Sequence, residues 1–295
     1  MLTQFGFAAD RVPIFVSIVP QKDFVRQIGK DLVDVKVMVP PGANPAIYEP
    51  RPRQMAAISR TRIYFAIGVP FEAIWLKKIA ASNPDMKVVH TEHGIQKIPM
   101  AAHQHRDETD AGHNQGEPEN GPGKHPGDNQ NAQGILDPHI WLSPPLVMTQ
   151  ARTILSALQK VDPAHYDDYA ANYTVFTSKI VELDTDLKTI FAGRQGLQFM
   201  VYHPAWGYFA HSYGLRQVPI EIEGKAPKPA QLRELIEHAR ENRIKVIFVQ
   251  PQFSSKNARR VASEIGGQVV FADPLAEDWA ANLREIAAKF KAALR

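Results

Sequence analysis

The chain has no cysteine in its 295 residues. That excludes disulfides, thiolate nucleophiles and thiolate metal sites, and leaves the redox compartment open. Long apolar runs are missing too: nothing approaches the roughly 18 residues that a membrane span needs. Charge of one sign is not in excess. A net charge of +3, with basic residues scattered rather than striped, argues against nucleic acid as a partner. The opening MLTQFGFAADRVPIFV lacks a basic leader and a proper apolar stretch, so it is no intact signal peptide. FGFAAD reads instead as the remnant of a cleavage site behind an added methionine. What is present is a globular composition, 44% hydrophobic and 22% charged, long enough for one large or two ordinary domains.

Strand-like runs fall at Ile14–Ile18, Val33–Val39, Ile63–Ile67 and Lys87–His90, with helical patterns at Gln21–Gly29, Pro52–Ser59 and Phe71–Ala81 between them. The alternation predicts a parallel sheet covered by helices. The second half repeats it. Strands are expected at Gln198–Tyr202, Arg216–Ile220, Val246–Val249 and Gln268–Phe271, and helices near Ala230–Glu241, Ser254–Ile265 and Ala276–Leu294. Between the halves, Tyr166, Tyr169, Tyr173, Phe176, Ile180, Leu183, Leu187 and Ile190 recur at spacings of three and four, one helical stripe. Asp162-Pro163 is expected to cap and open this helix and Gly193 to end it. The predicted fold is α/β: two similar lobes, each a mostly parallel four-stranded sheet flanked by helices, joined by one long rigid helix. The expected divisions are residues 1–160, a linking helix at 161–193, and 194–295. The alternative is a single domain with an edge helix.

Residues 101–134 have almost no large apolar side chains and are expected to be disordered. Six of the eleven histidines (His90, His93, His103, His105, His113 and His125) lie in or beside this tract. Such density suggests metal capture rather than an incidental polar insertion.

Three further positions carry candidate chemistry. His139 stands in ILDPHIWLSP, just where the polar tract ends. His203 follows a strand in FMVYHPAWGYFAHSYGL, and Asp273 follows another in VVFADPLAEDW, each before a proline. The carboxyl ends of parallel strands are where open α/β sheets present functional groups. Two imidazoles and one carboxylate suit zinc or another borderline divalent ion. Each could equally be a capping or core residue, and His211 reads as structural. An enzyme would need a base near metal-bound water. Glu221 and Glu223 are candidates for that role, but they have no recognised base spacing, and no HExxH, nucleophile elbow or phosphate loop occurs.

PGANPAIYEP, DPHIWLSP, YHPAWGYFA, IEIEGKAPKPAQL and FADPL together resemble the motif series of the zinc-binding substrate-binding proteins of bacterial ABC importers, the ZnuA-like group of the cluster A-I solute-binding family. Order and approximate spacing match from about Val12 to Phe290. The resemblance implies two lobes joined by a rigid helix and a metal ion in the cleft. It further implies a periplasmic or lipid-anchored location, delivery to an ABC permease in the cytoplasmic membrane, and a monomer. It maps His139, His203 and Asp273 onto the family's metal ligands. The family's first ligand is a histidine in a loop resembling PGANPxxYEP, and here that position is Ala46. The frame of the ligand loop is present without its imidazole. Manganese-binding relatives tend to carry glutamate where His203 stands, so zinc is favoured over manganese. The fourth zinc position is expected to fall to water, to a histidine of the polar tract (His103, His105, His113 or His125), or to Glu49, in that order. The expected function is zinc capture without conversion. The alternatives are a zinc metallohydrolase that uses the open position, and a metal chaperone or buffer without a permease.

Overall fold

The computed structural model describes residues 11–100, 136–222 and 224–294. FGFAAD, His103, His105, His113, His125 and Glu223 lie outside the described residues, as does the expected disorder of 101–134. The first half runs β1 (Val12–Val16), α1 (Val19–Gly29), β2 (Val33–Val37), α2 (Pro52–Ile58), β3 (Ile63–Ala66), α3 (Pro70–Ala81) and β4 (Lys87–His90). Then come α4 (Pro144–Val161) and α5 (Tyr166–Phe191). The second half is β5 (Gln198–Val201), α6 (Gly207–Ser212), β6 (Arg216–Pro219), α7 (Pro229–Glu241), β7 (Val246–Val249), α8 (Lys256–Glu264), β8 (Gln268–Phe271) and α9 (Trp279–Ala293).

Each half forms a parallel four-stranded sheet, in the order β2-β1-β3-β4 and β6-β5-β7-β8. The two orders are the same. In each, the chain reverses its winding between the two central strands, and the crevice at their carboxyl ends is where such sheets hold ligands.

The helix α4 is absent from the pattern expected of the sequence, although Val147, Ala151, Ile154 and Leu158 make a buried stripe along it. The linking helix begins later than expected. Pro163–His165 form a single 3-10 turn, and the Asp162 carboxylate accepts hydrogen bonds from His165 Nδ1 and the Tyr169 hydroxyl instead of capping the helix. At 1.5 Å per residue the 26 residues of α5 span about 39 Å. Its stripe holds at Tyr169, Phe176, Ile180, Leu183 and Leu187, whereas Tyr166 is 54% exposed.

α5 packs on α4, α1 and α9. Phe24 of α1 meets Phe176 of α5 and, edge-on at 5.1 Å, Trp279 of α9. One continuous buried cluster therefore runs from β1 through α5 to Phe290. A second, smaller cluster lies on the face of the second sheet covered by α7 and α8. Alternation along β7 divides the two, with Phe248 in the first and Ile247 and Val249 in the second.

Candidate metal centre

The chain re-enters the described structure through an isolated bridge, Pro99 with Leu136, and an Asp137 N–H to Ile98 carbonyl bond of 2.9 Å. Asp137 is fully buried. Its Oδ1 accepts the backbone N–H of His139 at 2.8 Å and the ring Nδ1 at 2.7 Å. One carboxylate oxygen thus orients both backbone and ring. The other, Oδ2, faces Gly207, where an added Cβ would lie 2.5 Å away. Only glycine permits this approach of α6. After His139, Ile140–Leu142 form a buried 3-10 turn.

His203 lies two residues past β5. Gln250, fully buried beyond β7, clamps it by donating to the His203 carbonyl at 2.7 Å and accepting its N–H at 3.2 Å. The His203 ring stacks on Phe253, with centroids 4.7 Å apart. Its Nδ1 donates to Oε1 of the buried Glu221, 2.5 Å away. Glu221 stands two residues past β6, so neighbouring strand ends supply the ligand candidate and its support.

With Nδ1 of each ring committed to a carboxylate, each imidazole in its neutral form presents a lone pair at Nε2. The two Nε2 atoms face each other at 3.3 Å. Unbridged, two such lone pairs repel. A tetrahedral zinc ion with Zn–N distances of about 2.0–2.1 Å sets its nitrogens about 3.3–3.4 Å apart, so the spacing fits a shared cation. Burial holds the His139 imidazole below the ordinary histidine pKa, against the pull of Asp137 in the other direction. That keeps it neutral, as a ligand must be.

Asp273 lies two residues past β8. Its Oδ1 accepts the Leu275 N–H at 2.9 Å and the Gln252 side-chain amide at 2.8 Å. Among the described residues Oδ2 has no hydrogen-bond donor. The carboxylate does not come within 4.8 Å of both histidine nitrogens, so the structure joins His139 to His203 and leaves Asp273 standing off. The Ala46 loop is well built. Asn44 Oδ1 accepts the Ala46 N–H at 2.9 Å, and the Tyr48 hydroxyl donates to Gln54, which bonds the Met38 carbonyl. Ala46, Ile47 and Glu49 are exposed. His211 sits in α6 and is exposed, so it is not a core residue.

Sequence reasoning weighed Glu221 only as a base, and Asp137 only as a flanking residue. Both are carboxylate partners of the histidines, the arrangement that fixes tautomer and orientation at metal sites. Asp-Pro-His carries a local signal for the first pair. The second pair is separated by 18 residues and has none.

The family model described as zinc-uptake complex component A, periplasmic, matches residues 14–293. The chain belongs to the ZnuA family. It is 29% identical over 263 residues to the high-affinity zinc uptake system protein ZnuA of Bacillus subtilis (strain 168), covering 88% of this chain and 77% of that protein. It is 28% identical over 262 residues to the iron-binding protein YfeA of Yersinia pestis, covering 86% and 75%. A crystal structure of ZnuA superposes with a TM-score of 0.85 at 40% identity, over 97% of this chain and all of that one. Membership makes the chain a metal-binding component of an uptake system, working outside the cytoplasm, and not an enzyme. No helix among the described residues is long and apolar enough to cross a membrane.

Proposed function

We propose that the chain captures zinc between its two sheets, on His139 and His203, and delivers it to an ABC-type permease in the cytoplasmic membrane. The observation that carries this reading is the 3.3 Å approach of two Nε2 atoms whose Nδ1 partners are both carboxylates. Asp273 is the third ligand, its Oδ2 closing onto the ion while Gln252 and the Leu275 N–H keep Oδ1. With alanine at position 46, water completes the tetrahedron. Two imidazoles favour zinc over manganese, which prefers oxygen-rich sites. The histidines of residues 101–134 gather zinc weakly and raise its concentration near the cleft. The continuous core through α5 supports small closure on binding, and a hinge rotation on zinc addition would contradict it.

The test is a competition titration of metal-stripped protein with zinc against a chromophoric chelator. One tight site that disappears in both His139→Ala and His203→Ala is the expected result. Tight binding that survives both substitutions would overturn the assignment.

A further inference from the structure

Apart from the cleft, one other cluster among the described residues gathers metal-ligating side chains. His90 is the last residue of β4, and the turn that follows reads Thr91-Glu92-His93. One ligand atom from each of His90, Glu92 and His93 can be chosen so that all three lie within 4.8 Å of one another. No other such group of three occurs among the described residues.

The turn is held in place by groups that are not themselves ligands. Thr91 is fully buried, and its N–H and hydroxyl both donate to the Ala66 carbonyl, at 2.9 and 2.8 Å. Gln21, buried at the start of α1, donates to the Thr91 hydroxyl at 3.2 Å. His90 and Glu92 therefore project from a fixed backbone on either side of an anchored residue. The rings of His90 and His93 lie nearly parallel, 12° apart with centroids at 4.8 Å. His90 Nδ1 meets Glu92 Oε1 at 2.9 Å.

A second observation points to a ligand. Glu92 Oε2 is buried and has no hydrogen-bond partner. The Lys97 side chain passes over Gly68 close to Glu92, yet gives this oxygen no bond. A buried carboxylate oxygen without a partner is costly, and a cation held with the two imidazoles would satisfy it.

We propose that His90, Glu92 and His93 form a second divalent-cation site, for zinc or a similar borderline ion, on the shoulder of the first sheet. It is independent of the cleft. Two imidazoles and a carboxylate suit such an ion. The exposure of His93 makes the site open and its ion exchangeable. In sequence it stands about ten residues before His103, the first histidine of the polar tract.

The test uses the full chain, stripped of metal and dialysed to equilibrium against micromolar zinc, with bound ions counted by atomic emission. The parent, Glu92→Gln and His93→Ala are compared, and the same pair is made in a His139→Ala/His203→Ala background. Ions on residues 101–134 are common to every variant and cancel. The expected result is the loss of one zinc equivalent on either shoulder substitution, in both backgrounds, with the tightest site of the parent unchanged. His93 is exposed and Glu92→Gln keeps the side chain's shape, so a circular dichroism melt serves as the folding control. Equal stoichiometry in parent and shoulder variants overturns the proposal. Failure of the cleft reading shows separately, as a tight site that survives loss of His139 and His203.

Discussion

The indole N–H of Trp279 donates to the carbonyl of Trp141 at 2.7 Å, while the Trp141 indole donates to the carbonyl of Pro274, also at 2.7 Å. Both rings are buried. The turn that carries His139 is thereby bound to the loop that carries Asp273 and to the start of α9. Metal-ligand candidates from opposite halves of the chain are tied together by two hydrogen bonds that involve no ligand atom.

Trp141→Phe should remove one of these bonds and leave the Pro274 carbonyl unpaired in the interior. The expected cost is about 1–3 kcal/mol, read as a lower urea midpoint. Zinc affinity should fall as well, because the His139 turn loses its tie to the Asp273 loop. Unchanged stability would show that water replaces the indole at no cost.

Glu221→Gln tests the support of His203. The amide keeps the shape but cannot hold the Nδ1 proton as a carboxylate does, and loss of such partners typically weakens metal binding about 10–100-fold. Asp137→Asn should act in the same direction through His139. Competition titration measures both, and affinities equal to the parent's would mean that the carboxylates serve packing alone.

Gly207→Ala places a methyl group against Asp137 Oδ2, where the ideal Cβ would stand 2.5 Å away. Asp137 must move and carries the His139 ring with it. Overpacking of this kind costs about 1–3 kcal/mol, and here weaker zinc binding should accompany it. A crystal structure of the variant with Asp137 unmoved would refute the reading.

Protons compete with the metal. Zinc affinity should fall as pH drops through the histidine range. For His139 the competition starts at lower pH than for a free imidazole, because burial depresses its pKa. The metal-free protein shares the sign. The unfolded chain takes up the His139 proton near pH 6.5, before the folded one does, so stability is lost as pH falls from about 6.5 toward the folded-state value. Urea midpoints of the parent and His139→Gln, compared at pH 5 and 7.5, measure this contribution. It should be present in the parent and missing from the variant.

Ala46→His should return an imidazole to a loop already framed by Asn44 and by the Tyr48–Gln54 bond. Zinc affinity is expected to rise by at least about tenfold, or ~1.4 kcal/mol. X-ray absorption should count one more nitrogen neighbour at the metal. No change on either measure would mean that the loop does not reach the ion.

The order of strands and helices in both halves could be read from the sequence, because a period of two or of 3.6 is a local property of a chain folding onto a core. So could the candidacy of His139, His203 and Asp273, since strand, proline and polar residue stand side by side. The helix α4 went unread although its stripe is regular, and Tyr166 fits the stripe yet faces solvent. Whether a face is covered depends on a neighbour that periodicity does not reveal. Tertiary structure alone decided that His139 and His203 meet through Nε2, that Glu221 serves His203 instead of acting as a base, and that Trp279 closes on Trp141. Their partners lie 64, 18 and 138 residues apart along the chain. Contacts over such separations arise from how two sheets pack around α5, and no local pattern records them.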